Sequence, residues 1–153
     1  MFNMFEKAPC VCFKAEFPSA GSAREELSRI LSSHLLARFG AVKRGRFLYP
    51  RGQWIEVQLG QRAVWVGWYP RRRKVEEWIV FVGPGDLPSM WDRVRGRKRV
   101  ANIEELRFVS RDIHALLGSV TGISNVMWYF SEFRREGKKG VWTPDELPWV
   151  ETP

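Results

Sequence analysis

Apolar and polar residues alternate along CVCFKAEF, residues 10–17. Val11, Phe13, Ala15 and Phe17 share one side of an extended chain, and Cys10, Cys12, Lys14 and Glu16 share the other. This period of two predicts a half-buried strand, which Pro18 to Gly21 breaks. The period then changes. Leu27, Ile30, Leu31, Leu35 and Phe39 recur on neighbouring turns of one helical face. Ser22 and Glu25 form a capping box ahead of them, and Gly40 stands where a left-handed cap is wanted. From about residue 46 to 82 the pattern reads as four short strands. They are Phe47 to Tyr49, Trp54 to Leu59, Arg62 to Tyr69, and Val75 to Val82, separated by Pro50-Arg51-Gly52, Gly60-Gln61 and Pro70 with three arginines. Such short connections make neighbours antiparallel, and the four runs predict a meander.

Asp86 is placed to cap a short helix over 86–94, and Arg95 to Arg99 reads as a loop. A second helix follows, with Asn102 and Glu105 at its start, a stripe of Ile103, Leu106, Val109, Ile113, Leu116 and Leu117, and Gly118 at its end. Asn125 to Phe130 predicts a last strand. The tail from Phe133 is polar and then aromatic and proline-punctuated, and it is expected to pack Trp142 and Trp149 back onto the body. The whole of 1–153 therefore reads as a single α+β domain, an antiparallel β-meander with its helices packed on one face.

Composition adds little to that picture and charge adds much. The hydrophobic fraction, 44%, is ordinary for a globular chain, and 153 residues can bury a core without a metal or disulfide staple. No apolar run approaches the ~20 residues that span a bilayer, so no membrane association is expected. The start, MFNMFEKAPCVCF, lacks the basic region of a secretory signal. Cys10 and Cys12 are too close along a strand to close a disulfide without strain. Reduced thiols and a cytoplasmic location are the expectation.

The candidate chemistry is thin. Cys10, Cys12, His34 and His114 are all the thiols and imidazoles in the chain, and their spacing fits no zinc motif, so neither metal nor cofactor is expected. There is no nucleophile elbow. Gly83-Pro84-Gly85-Asp86 lacks the glycines and lysine of a phosphate loop and reads as a turn. Glu56, Asp112 and His114 are the first suspects for any catalytic role, yet Asp112 and His114 lie two apart on a helix and do not face each other. The expectation is a protein that is not an enzyme.

The basic residues form the strongest pattern, with 25 Lys and Arg against 17 Asp and Glu and a net charge of +8. Between positions 38 and 74 stand Arg38, Lys43, Arg44, Arg46, Arg51, Arg62, Arg71, Arg72, Arg73 and Lys74, with Glu56 the one acid. Arg93, Arg95, Arg97, Lys98 and Arg99 make a second cluster, and Arg134, Arg135, Lys138 and Lys139 a third. Positive loops suit an acidic protein partner and equally suit phosphates. Eight Trp add the residue type that, with Arg, concentrates at binding hot spots.

The meander WIEVQLGQRAVWVGWY and the ends GISNVMWYFSEF and VWTPDELPW resemble, in overall build, the small α+β immunity proteins of bacterial polymorphic-toxin systems. The resemblance implies a cytoplasmic bacterial protein that binds and occludes one cognate toxin. It carries no residue's role across. Many immunity proteins are acidic, and a net charge of +8 implies a toxin with an acidic surface. On this reading Arg71, Arg72, Arg73, Lys74, Trp54 and Trp68 form the partner-binding surface. The alternative is a nucleic-acid binder of little sequence specificity, touching phosphates through Arg44, Arg46, Arg95, Arg97, Lys98 and Arg99.

Overall fold

In the computed structural model the residues described are 8–17, 22–47, 52–59, 62–71, 76–84, 103–130 and 141–149. Six strands, β1 (Pro9–Ala15), β2 (Ala41–Phe47), β3 (Gly52–Leu59), β4 (Arg62–Pro70), β5 (Glu77–Pro84) and β6 (Ile123–Phe130), form one sheet. Its order is β2-β3-β4-β5-β1-β6 and every neighbour is antiparallel. The meander β2 to β5 is the one the turns predicted. The first strand of the chain enters afterwards, between β5 and β6, and so lies in the interior of the sheet.

Two helices, α1 (Ala23–Phe39) and α2 (Ile103–Ser119), cover one side. Leu27, Leu31 and Leu35 of α1 and Leu106, Val109, Ile113 and Leu117 of α2 are buried in the same core as Val11, Phe13, Ile55, Val57, Val66, Trp68 and Val80. Both helices therefore rest on a single face, and the protein is an α+β domain of one sheet and one helical layer. α1 crosses β3, and α2 lies over β4, β5 and β6. The capping reading holds at α1, where the Ser22 hydroxyl accepts from the Glu25 amide at 3.4 Å. Among the described residues no helix is long and apolar enough to cross a membrane.

Several boundaries differ from the sequence reading: β1 ends at Ala15, β3 begins at Gly52, and β5 runs on through Gly83 and Pro84, which were read as a turn. Two further differences have a clear physical reason. The first meander strand is Ala41–Phe47, where Phe47 to Tyr49 was expected. Gly40, at φ 73° and ψ 138°, turns α1 directly into it. With Arg44 and Arg46 on one side of the strand and Gly45 on the other, β2 shows no apolar alternation to read. The last strand starts at Ile123, two residues early. Asn125 has φ 54°, and the register against β1 slips between Cys12 and Lys14. That is a bulge, with Asn in the left-handed region it tolerates better than most residues.

A C-terminal segment packs against the helical side. Val141 bridges to Trp128, a 3₁₀ turn follows at Pro144–Glu146, and the Trp149 ring meets Phe130 edge-on at 5.4 Å. Of the two tail tryptophans expected to pack inward, Trp142 does not: it is 64% exposed. The expected helix over 86–94, the basic loop 95–99, the tail residues 133–140 and the turns at 48–51, 60–61 and 72–75 lie outside the described residues.

Candidate anion-binding groove

The helix and the edge of the sheet between them build a trough. Arg24, Ser28 and Ser32 repeat every four residues along α1, and Glu25, Arg29, Ser33 and Leu36 run beside them, so both rows flank the helix on one side. Next to α1, beyond β3, lies the edge strand β2. Its neighbours in register are Arg44 with Ile55 and Arg46 with Gln53. Ile55 is core, so Arg44 and Arg46 also point to the helical side, where among the described residues no helix covers them and both are exposed. The result is a groove of about 870 Å³, lined by these α1 residues and by Arg44, Arg46, Gly52 and Gln53. Four arginines and one glutamate, Glu25, line it: Arg24, Arg29 and Glu25 from α1, Arg44 and Arg46 from β2.

The state of each arginine matters more than the count. Arg29 is tied to Glu26 by two hydrogen bonds, one of them 3.2 Å from Nε. That bond lowers the Glu26 pKa and raises that of Arg29. A depressed carboxylate keeps its charge until the pH falls below the ordinary range near 4.5, so the pair stands throughout the neutral range. The Arg24 guanidinium lies 6.0 Å from the centre of the Trp78 ring. Arg44 and Arg46 have no ion-pair partner among the described residues. Beneath the groove Trp68 donates from Nε1 to the Ser28 hydroxyl at 3.0 Å, tying α1 to β4.

Several expected site residues are elsewhere. Trp68 is 1% exposed. It belongs to the core, not to a contact surface, because its strand position faces the helices. Trp54 is on the opposite face, stacked on Trp65 at 4.7 Å and 11°, with the buried Glu56 accepting from Trp65 Nε1 at 2.8 Å. The two tryptophans assigned to one surface thus lie on opposite sides of the sheet. Arg71 is bonded to Glu77 at 2.8 Å. Burial works to lower its pKa, but the bond to Glu77 and the nearby Cys12 outweigh it and leave the pKa raised. Arg72, Arg73, Lys74, Arg95, Arg97, Lys98 and Arg99 lie outside the described residues. Of the alternative set, Arg44 and Arg46 are in the groove. Sequence reasoning missed Arg24 and Arg29. Their signal was the four-residue repeat of Arg and Ser on the polar side of α1, which reads as an ordinary solvated face until β2 is placed beside it.

The catalytic suspects do not converge. Asp112 accepts from or pairs with His34 Nε2 at 2.6 Å and Arg38 Nε at 3.3 Å. His114 instead accepts from Trp128 Nε1 through Nδ1 at 3.0 Å, and Glu56 is across the sheet from both. Cys10 and Cys12 line the face away from the helices with Ile79, whereas His34 and His114 are on the helical layer. Among the described residues no group of three His, Cys, Asp or Glu side chains is placed to hold a metal.

No protein-family model matches the chain, and no curated protein or solved structure matches it. The functional reading therefore rests on the fold and on this groove.

Proposed function

We propose that the protein is a non-catalytic binding module that recognises one protein partner through an acidic surface of that partner, seated at the α1–β2 groove. One observation supports the reading: Arg44 and Arg46 project into a trough shared with Arg24 and Arg29 and have no carboxylate partner among the described residues. Cations without a partner among the described residues, presented side by side on one strand, would steer an acidic partner and fix its register. An immunity protein that covers a toxin bearing an acidic face is the particular member of this class that the sequence resemblance suggests. Nucleic acid is the weaker reading. The stacked Trp54 and Trp65 lie on the other side of the sheet from the groove, so bases and phosphates of a single strand would not meet both.

The test is a pull-down of tagged protein from its native cell at moderate salt, with and without nuclease, in parallel with the Arg44→Glu/Arg46→Glu double variant. The expected outcome is one stoichiometric protein that survives nuclease and is lost with the variant. Its association rate should fall steeply with salt. Recovery of nucleic acid alone, or a protein retained equally by the variant, would sink the assignment.

A further inference from the structure

The groove borders a second unsatisfied feature, the free edge of the sheet. β2 pairs with β3 on one side, and among the described residues nothing pairs with it on the other. The far edge differs, because there Val141 exchanges two backbone hydrogen bonds with Trp128, an isolated bridge at one point of β6. An edge strand of seven residues, Ala41–Phe47, presents its outward amides and carbonyls as a template for another strand. It is long enough for a typical strand to dock on.

We propose that the partner binds by adding an acidic strand to β2. This rests on the anionic-partner reading above and says how that partner is held. An extended segment with carboxylates at every second position pairs its backbone with the free edge. Its alternate side chains then fall on the helical side, where directly opposed side chains in a sheet are about 5 Å apart. That spacing sets two successive carboxylates beside Arg44 and Arg46, with Arg24 and Arg29 facing them across the trough. The ladder supplies affinity and the alternating charges supply register, as in other strand additions. The same charges argue against the rival occupant of an open edge, a second copy of this chain. A β2–β2 pairing would bring the Arg44 and Arg46 of both copies together on one face, where opposed like charges destabilise the sheet.

The experiment uses the full chain and a labelled ten-residue peptide of alternating Glu and Thr, with a control of the same sequence N-methylated at every amide. The control keeps the charge and removes the ladder donors. Binding is read by anisotropy, and the site by hydrogen–deuterium exchange. The first peptide should bind and protect the outward amides of β2, the N-methylated one should bind about tenfold or more weakly, and Arg44→Glu/Arg46→Glu should weaken binding roughly a hundredfold. Equal binding of both peptides would overturn strand addition while leaving an anion-binding groove in place. Binding of neither peptide overturns it, as does protection of the same β2 amides by a second copy of the chain or by an oligonucleotide. The fate of the broader reading is then decided by the pull-down alone.

Discussion

A Cβ built on Gly45 would stand 2.6 to 2.8 Å from three atoms of the Trp54 indole. Trp54 is directly across from Gly45 on one side and from Gly67 on the other, so its ring lies flat over a strand that leaves it room. Glycine inside a strand usually weakens it, and here it marks that close approach. Gly45→Ala should therefore cost about 1–2 kcal/mol, because the ring must swing off its stack with Trp65. In a Trp54→Thr background the sign should reverse to a gain of up to about 1 kcal/mol, since only the strand preference of Ala over Gly remains. Chemical denaturation of the four proteins of that cycle checks it. An unchanged cost in the Trp54→Thr background would mean that something other than the indole occupies the space.

The two helices are linked to each other by the Phe39 ring edge-on to Phe108 at 6.1 Å, by the Arg38 guanidinium 5.8 Å from the Phe108 ring, and by one carboxylate. Asp112 of α2 reaches His34 and Arg38 of α1, and its side chain is 16% exposed. Arg111, its neighbour in sequence, pairs with Asp145 at 2.6 Å, with both side chains more than half exposed. Distance alone would rank the two contacts as equals. Solvation separates them, because exposed pairs are screened and pay side-chain entropy, whereas Asp112 holds two partners in a partly dry site. Asp112→Ala should cost about 1–2 kcal/mol in thermal or urea unfolding, and Arg111→Ala no more than about 0.5 kcal/mol. The reverse order would show that the helix–helix link is incidental and the tail contact structural.

Across the whole molecule the two edges of the sheet are finished differently. The β6 edge is bridged at one point by the C-terminal segment. Trp149 is held there by Phe130, by a bond from its Nε1 to the Pro144 carbonyl at 2.8 Å, and by the Arg107 guanidinium 5.2 Å from its ring. Trp149→Ala should cost about 2–3 kcal/mol and raise exchange at the amides of β6, which a combined calorimetric and exchange measurement would show. A stability unchanged by that substitution would mean the segment decorates the fold without closing it. Among the described residues the β2 edge carries arginine and has no cover. Lysine and arginine on an open edge also discourage unwanted strand pairing. On the function proposed above, the same residues would repel a like-charged copy and attract an acidic segment, so that protection and recognition would come from a single arrangement.

The α+β class, three of the four meander strands and the two helices were determined by the sequence alone, because each depends on local periods of two or 3.6 residues and on turn and cap residues; β2, which has no such period, was not. The excess of basic residues was equally plain. The tertiary structure decided where that charge became a site. Arg24 and Arg29 are about twenty positions from Arg44 and Arg46 in the chain, and they meet only because Gly40 folds β2 back alongside α1 at the edge of the sheet. The tertiary structure also separated Trp54 from Trp68. Alternation within each strand sets Trp54 opposite Ile55 and Val57, and Trp68 beside Val64 and Val66. Only the paired backbones establish that these apolar sides are one and the same side, under the helices, because a slip of one residue would exchange core and surface.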